Sequence, residues 1–338
     1  MSQRVRVIQF GLGPIGQALA AETLAREDLE LVGGVDRAPE LAGRPLEEIL
    51  GPQAHGLPRI VPNLGDLSMP QPPRVVLHAT GSRLPSVLPE LEEILSSGCH
   101  CVSSCEELSY PYLHHAGLAK RLDALAREQR VGLVGTGVNP GFVLDLLPAV
   151  LSAACRRVDR VRASRIVDVT RRREPLRKKV GMGLTPDAYR TRETALGSMG
   201  HVGLGESAAL LASALGWQGG VVTESSEPVV AEREVRAAGI VIPPGSILGT
   251  RTRASLRTEG IERIALQVTI AAGVEMEEDR ILLEGDPPLT LVIPGGIPGD
   301  SATVSVLVSV ARRIGGVHPG LHTMLTLPVV PYGAPRLI

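Results

Sequence analysis

Short apolar runs alternate with amphipathic segments over the first 137 residues. Val5, Val7 and Ile8 predict a buried strand, and the amphipathic segment 17–26 after it predicts a helix. The same alternation continues with strands at 31–35, 74–79, 98–102 and 131–136 and with helices at 84–97 and 115–130. Strands that alternate with helices predict an α/β fold with a Rossmann doubly wound parallel sheet.

The pattern changes from about residue 155. Segment 160–169 alternates polar and apolar residues, which is typical of a strand in a sheet with one open face. We expect further strands at 261–273, 280–284 and 288–293, helices at 208–215 and 300–314, and a charged loop at 171–179. This half of the chain therefore predicts a second α/β domain with a mostly antiparallel open sheet.

Composition excludes several classes of protein. The chain is 43% hydrophobic and 21% charged, as in globular proteins, and its net charge of −1 argues against an electrostatic nucleic-acid binder. With no apolar run of about 18 residues, we expect no membrane span, no signal peptide and a cytoplasmic protein. Cys99, Cys101 and Cys105 match no zinc-ligand spacing, so we expect free thiols in a buried strand and no metal.

The strongest motif is the glycine-rich turn between the first strand and the first helix. Gly11 permits a tight turn, Gly13 lets the backbone approach a pyrophosphate, and Gly16 lets helix and strand pack closely. Pro14 and Ile15 lie between these glycines, directly before the helix whose N-terminus favours phosphate. The second strand ends at Asp36, twenty residues after Gly16, where a carboxylate can accept ribose hydroxyls. We predict a dinucleotide site.

Other residues at strand ends refine this site. Arg37 and Arg44 could meet a 2′-phosphate, whereas Asp36 would repel one, so both NAD and NADP remain open. The segment Thr80, Gly81 and Ser82 follows a predicted strand, and we expect it to border the nicotinamide, although an ordinary turn is the alternative.

Several ordered blocks beyond the glycine motif resemble those of the native amine dehydrogenase and 2,4-diaminopentanoate dehydrogenase family, relatives of dihydrodipicolinate reductase. The resemblance covers nearly the full length and rests on Gly11-Leu-Gly-Pro-Ile-Gly16, Ser103-Ser-Cys-Glu-Glu-Leu-Ser-Tyr-Pro111, Gly135-Thr-Gly-Val-Asn-Pro-Gly-Phe142, Lys179-Val-Gly-Met-Gly183, Gly200-His-Val-Gly-Leu204 with Leu215-Gly-Trp217, and Gly299-Asp-Ser-Ala-Thr303 with Pro319-Gly-Leu321. It implies reversible NAD(P)-dependent interconversion of a small ketone or aldehyde plus ammonia with a primary amine.

The resemblance also implies a domain organisation. The C-terminal helix of such enzymes returns to the nucleotide domain. We therefore expect a discontinuous Rossmann domain, residues 1–137 and 300–338, and a substrate-binding domain, residues 138–299, through which two chains form a homodimer.

The resemblance places the catalytic acid in the block that contains Glu106 and Glu107. A carboxylate there would bind ammonium and accept its proton. We favour Glu106 because it comes first after the strand. Adjacent residues normally point in different directions, so only one of the two acids should face the cofactor. Glu107 is the second candidate, with an acid that interacts with a helix start as its alternative role.

Candidate substrate-binding residues are more dispersed. Asn139, in a turn after the last strand of the first block, could hold the substrate carbonyl or the nicotinamide carboxamide, although a plain hinge turn is equally possible. Other candidates lie beside it or later in the chain: Pro140, Gly141, Phe142, Arg165, Asp168, His201 and Thr303. His201 could line the pocket or transfer a proton, and a structural histidine is its alternative.

Two rival functions remain open at this point. One is an enzyme specific for 2,4-diaminopentanoate, with Asp168 holding the distal ammonium. The other is a nucleotide-sensing protein that has lost turnover.

Overall fold

The structure is a computed structural model that describes residues 4–68, 74–196 and 199–328. The chain divides into two compact units, the first comprising Met1–Phe142 with Pro298–Ile338 and the second Val143–Ile297. The predicted domain limits differ from this division by a few residues, and positions 329–338 of the first predicted domain lie outside the described residues.

The described residues form strands and helices with the following bounds. The strands are β1 (Val5–Phe10), β2 (Leu29–Val35), β3 (Arg74–His78), β4 (His100–Ser103), β5 (Gly132–Gly135), β6 (Arg157–Asp168), β7 (Val221–Val230), β8 (Val235–Ala237), β9 (Ile240–Ile242), β10 (Ile247–Thr258), β11 (Ile261–Ala271), β12 (Glu278–Asp286), β13 (Leu289–Pro294) and β14 (Gly320–His322). The helices are α1 (Pro14–Leu24), α2 (Leu46–Leu50), α3 (Leu84–Ser96), α4 (Ala116–Glu128), α5 (Leu146–Ser152), α6 (Glu174–Lys179), α7 (Pro186–Leu196), α8 (Leu204–Ala214) and α9 (Gly299–Ala311).

The first unit is built on a parallel sheet of six strands in the order β14-β5-β4-β3-β1-β2. Its central strands are apolar along almost their whole length because both faces are buried, as expected of parallel strands covered by helices. Helix α9 packs against α1, and Arg312 pairs with Asp28 at 2.5 Å. The predicted Rossmann fold is confirmed.

The second unit contains a six-stranded sheet in the order β13-β12-β6-β11-β10-β7. Its neighbours are antiparallel except for the parallel pair β11 and β6, which confirms a mostly antiparallel sheet. Helix α8 packs against β7, β10 and β11. Residues of β10 alternate between buried and more exposed positions, so the sheet has one buried and one more open face.

Several elements of the second unit differ from the sequence-based expectation. The segment predicted as a charged loop contains helix α6, which begins with Glu174 and Pro175. Glu174 pairs with Lys178 one turn later at 2.6 Å, and the basic last turn suits the helix dipole. Helix α7 and strands β7, β8, β9 and β10 were not predicted. Within the described residues, helices are too short or too polar to cross a membrane.

Candidate active site at the carboxyl edge of the parallel sheet

Backbone hydrogen bonds align the carboxyl ends of five parallel strands, each joining the first residue after one strand to the last residue of a neighbouring strand. Gly11 N donates to Val35 O at 2.8 Å, and Ala79 N donates to Phe10 O at 2.8 Å. The series continues across β3, β4 and β5 with Ser104 N to His78 O and Thr136 N to Ser103 O, both at 2.9 Å. The loops that carry the predicted site residues of this unit therefore begin along one edge.

The glycine-rich turn has the geometry that its spacing predicts. Gly11 has φ +85°, and a Cβ there would lie 2.5 Å from Ala79 O. A Cβ on Gly16 would lie 1.8 Å from Gly11 O, so strand and helix meet too closely for any side chain. A Cβ on Gly13 would meet no atom within 4 Å, which leaves this backbone open to a ligand at the start of α1. These residues fit a bound dinucleotide pyrophosphate.

Asp36 is fixed at the end of β2 by two backbone groups. Its Oδ2 accepts the Leu12 N–H at 2.6 Å, and its Oδ1 accepts the Ala38 N–H at 2.9 Å. The carboxylate is partly exposed and retains acceptor capacity, which suits ribose hydroxyls. Arg44, by contrast, pairs with Glu48 at 3.1 Å on the surface.

Glu107 is buried and occupied by structural partners. Its Oε1 accepts from Arg83 Nη1 at 2.7 Å, and its Oε2 accepts from Leu84 N at 2.7 Å and lies 3.0 Å from His115 Nε2. Burial alone would raise the pKa of Glu107, but these hydrogen bonds and the Arg83 charge outweigh it and hold the pKa below its usual value. Glu107 therefore anchors the start of α3 to the loop after β4.

Glu106 lies at the same loop but in a different environment. It begins the short 3₁₀ turn Glu106–Ser109, which Ser109 closes by donating its hydroxyl to Glu106 O at 2.7 Å. Its side chain is partly exposed, whereas Glu107 is 4% exposed. Glu106 is therefore more accessible than Glu107. A general base must be accessible to its substrate.

The loop after β3 contacts the loop after β4. Ser82 O accepts from Glu107 N at 3.3 Å and from the Cys105 thiol at 3.3 Å. A Cβ on Gly81 would lie 3.0 Å from Val87, and the methyl group of Thr80 lies 2.8 Å from the position of a Cβ on Gly11. The structure thus brings this segment between the glycine turn and the two acids. Its contact with nicotinamide stays a prediction.

The turn after β5 is tight, and its residues pack against one another's backbone. Gly141 has φ +122°, and a Cβ there would lie 2.5 Å from Gly137 N; the Asn139–Pro140 peptide bond is cis. Thr303, near the start of α9, accepts the Val138 N–H at 3.2 Å. Pro140 and Gly141 are buried and shape the turn, whereas Asn139 and Phe142 are partly exposed. Asn139 and Phe142 stay candidates for ligand contact, and Thr303 holds the turn.

Arg165, predicted to bind substrate, has structural partners in the second unit. It is 4% exposed, and its Nη1 donates to both oxygens of Asp279, at 3.1 and 2.9 Å. Its Nη2 donates to Ile297 O. The guanidinium therefore forms a buried ion pair that joins β6 to β12. Contact of Arg165 with a substrate stays a prediction.

Asp168 and His201 also lie in the second unit. Asp168 Oδ1 accepts from Thr170 N at 2.9 Å and from Thr170 Oγ1 at 2.7 Å, so it caps the turn after β6. Burial, with the nearby charges of Lys179 and Arg165, lowers the pKa of His201 to about 3. The imidazole is therefore neutral at physiological pH, and a role as a protonated acid does not fit it. Contact of either residue with substrate stays a prediction.

The cysteines are part of the core around β4. All four cysteines lie in described residues and are free, with Cys99, Cys101 and Cys105 buried. Burial raises the pKa of the Cys101 and Cys105 thiols above their usual value. In the part of the chain that the structure describes, no group of three or more His, Cys, Asp or Glu side chains is placed to hold a metal.

Sequence reasoning missed a buried polar network beside the site. His78 Nδ1 lies 2.8 Å from Ser103 Oγ, and His78 Nε2 lies 2.9 Å from Glu90 Oε2. Ser103 Oγ also accepts from Cys105 N at 3.1 Å, directly before Glu106. A histidine that closes an apolar strand was the available signal, but its partners lie on α3 and β4 and leave no local pattern.

The comparisons with known proteins identify the family of the chain. Residues 142–333 match the family described as the 2,4-diaminopentanoate dehydrogenase C-terminal domain. A 2,4-diaminopentanoate dehydrogenase of Acetoanaerobium sticklandii is 28% identical over 97% of this chain and 94% of its own length. An amine dehydrogenase of Streptomyces virginiae is 23% identical over 97% of both chains.

A solved structure has the same fold. The amine dehydrogenase from Mycobacterium smegmatis superposes with a TM-score of 0.78 at 22% identity, covering 98% of each chain. The family match spans more than half of the chain, and the parallel sheet carries a turn that fits a dinucleotide. The resemblance predicted from the sequence blocks is confirmed: the chain belongs to the 2,4-diaminopentanoate dehydrogenase family and is an NAD(P)-dependent oxidoreductase.

Proposed function

We propose that the protein is an amine dehydrogenase that interconverts a small ketone or aldehyde plus free ammonia with a primary amine. Family membership supports an enzyme that acts on CH–NH2 groups. The observation that carries the proposal is the difference between two adjacent acids at the carboxyl edge, where Glu107 is occupied by Arg83, Leu84 and His115 and Glu106 is partly exposed.

Glu106 is proposed as the catalytic base. Ammonia is mostly protonated at neutral pH, so a carboxylate that binds ammonium and accepts one proton delivers the neutral nucleophile to the carbonyl carbon. The protonated Glu106 then returns this proton to the carbinolamine hydroxyl, which leaves as water, and the resulting carboxylate stabilises the iminium cation. When bound, the nicotinamide supplies the hydride that reduces the iminium and accepts it in the reverse direction.

Asn139 and the backbone of its turn are proposed to orient the carbonyl or the nicotinamide carboxamide. Asn139 is partly exposed, and its loop begins one strand away from the loop of Glu106, with Thr136 N bonded to Ser103 O. An amide side chain offers both a donor and an acceptor, which suits either partner.

Oxidation of NADH and NADPH, measured with a panel of small ketones and aldehydes with and without ammonium at alkaline pH, tests the proposal. We expect oxidation that depends on ammonium and forms the primary amine. Oxidation that is equally fast without ammonium would contradict the proposal and indicate a carbonyl reductase.

A second candidate is an enzyme specific for 2,4-diaminopentanoate. The family description and the 28% identical relative both carry that name, whereas the relative named amine dehydrogenase is 23% identical. Reduction of NAD or NADP by 2,4-diaminopentanoate, with no ammonium-dependent activity across the carbonyl panel, would favour this candidate. Absence of activity in both assays would contradict both enzyme functions and leave a nucleotide-sensing protein.

We also propose that two chains associate through the more open face of the second-unit sheet. This face contains a cavity of about 540 Å³ whose lining includes Arg162, Arg253, Ala265, Gln267 and Arg280. Light scattering should give a mass twice that of the 35.7 kDa chain. Ala265→Trp, which places bulk in this cavity, should shift the mass to one chain, and a monomeric wild type would contradict the proposal.

A further inference from the structure

The side chain of Arg37, directly after the ribose-binding candidate Asp36, is held by two acids of α3. Arg37 Nη2 donates to Glu93 Oε2 at 2.8 Å, and Arg37 Nη1 lies 3.7 Å from Glu90 Oε1. The guanidinium also lies over the Phe10 ring, 5.9 Å from its centroid. The two acids thus direct the Arg37 charge towards α3.

The two acids are themselves fixed. Glu93 Oε1 accepts the Leu64 N–H at 2.7 Å, which leaves Oε2 for Arg37. Glu90 Oε2 lies 2.9 Å from His78 Nε2 and accepts from Thr80 Oγ1 at 2.5 Å. Burial would raise the pKa of Glu90, but hydrogen bonds from His78 and Thr80 and the Arg37 charge hold it below its usual value. Glu90 is therefore charged, and both acids are positioned before any ligand arrives.

This arrangement bears on the choice between NAD and NADP. A 2′-phosphate carries nearly two negative charges and requires a cation beside the adenosine ribose. Next to the ribose-binding position, the Asp36 carboxylate is fixed by Leu12 N and Ala38 N, and the charge of Arg37 is shared with Glu90 and Glu93. Ribose hydroxyls gain an acceptor from Asp36, whereas a phosphate would meet carboxylates.

We propose that Glu90 and Glu93 determine cofactor preference by withholding Arg37 from a 2′-phosphate, so that the protein binds NAD(H) more tightly than NADP(H). Arg37 could otherwise bind a 2′-phosphate, and Glu93 prevents this most directly because it accepts the shorter hydrogen bond from the guanidinium. The inference concerns cofactor binding and does not depend on the amine chemistry proposed above.

The test is fluorescence titration of the full-length protein with NADH and with NADPH. In Glu93→Gln, the amide oxygen can still accept the Leu64 N–H, but the amide nitrogen no longer binds Arg37. We expect the ratio of the NADPH to the NADH dissociation constant to fall about 10-fold, because the released guanidinium gains charge-assisted bonds to phosphate.

Glu92→Gln is the matched control. Glu92 lies on the same helix and binds Arg121 at 2.7 Å, so its substitution removes the same charge without touching Arg37. We expect it to change the ratio by less than about 2-fold, as for a surface ion pair. An equal change in both variants would show that net charge alone is responsible and would overturn the proposal.

Two variants show whether Arg37 itself is responsible for the change in cofactor binding. Arg37→Gln alone should leave the ratio of the NADPH to the NADH dissociation constant within about 2-fold of wild type. In the wild-type protein the guanidinium binds the acids of α3 and does not bind phosphate. Adding Arg37→Gln to Glu93→Gln should abolish the gain in NADPH binding. A wild type that prefers NADPH, or an Arg37→Gln variant that loses NADPH binding selectively, would overturn the proposal even if Glu93→Gln failed to fold.

Discussion

The two units differ in how well chemistry could be located from their sequences. In the first unit, residues that follow four different strands, including Gly13, Asp36, Ser82 and Glu106, lie along one edge of a parallel sheet. In the second unit, Arg165 is buried in an ion pair with a residue 114 positions away. Parallel strands collect their carboxyl ends at one edge, whereas antiparallel strands impose no such rule. The sheet topology therefore brings residues from distant parts of the sequence to one predictable edge only in the first unit.

Removal of Arg165 should have the largest effect on stability and tests whether this residue is structural. Arg165→Met leaves Asp279, whose side chain is fully buried, without its charged partner. We expect the free energy of unfolding to fall by about 3–5 kcal/mol. Chemical denaturation measures this change.

The matched control is Arg157→Met on the same strand. Arg157 pairs with Asp159 at 2.9 Å, but its side chain is 66% exposed, so the expected loss is at most about 1 kcal/mol. Similar small losses in both variants would show that the Arg165 pair contributes little to stability, and would favour a role of Arg165 in substrate binding.

Substitutions in the glycine turn come next in size. Gly16→Ala places a Cβ 1.8 Å from Gly11 O, so we expect a loss of about 1–3 kcal/mol in stability, together with weakened cofactor binding. Gly13→Ala meets no atom within 4 Å and should weaken NADH binding with little loss of stability. Thermal unfolding and NADH titration separate the two effects; unchanged NADH binding by Gly13→Ala would remove this turn from the cofactor site.

The smallest predicted effect is a pH dependence in the second unit. The pKa of His201 is about 3 in the folded chain, below the value of about 6.5 in an unfolded chain. Above pH 6.5 both states hold the neutral imidazole, and below it the unfolded chain binds the extra proton. Stability should therefore fall by up to about 2 kcal/mol between pH 6.5 and 5. His201→Gln should remove that part of the decline, and an identical decline in the variant would contradict it.

Much of the first unit could be predicted because its signals are local. The apolar strand β1, the glycine turn and the acid at the end of β2 follow one another within 36 residues. The role of Glu107 could be predicted only as an unspecified helix-start contact. Its partners Arg83 and Leu84 precede it by more than twenty residues, so only the fold identifies them.

The second unit was harder to predict because its signals are weak. Strand β7 has the sequence VVTESSEPVV, and β10 carries several arginines and threonines on a partly exposed sheet. Neither forms the apolar run that marks a buried strand. The helix α6 is only six residues long and highly charged, so its sequence suggested a loop.

Substitution of the two adjacent acids tests the central claim most directly. Glu106→Gln should bind NADH as the wild type does but lose ammonium-dependent turnover by at least about 100-fold, because a positioned base is removed. Glu107→Gln, which disrupts the contacts to Arg83 and His115, should lower stability while the folded enzyme retains turnover. Near-normal turnover by Glu106→Gln, with a large loss in folded Glu107→Gln, would contradict the account and move the base to Glu107.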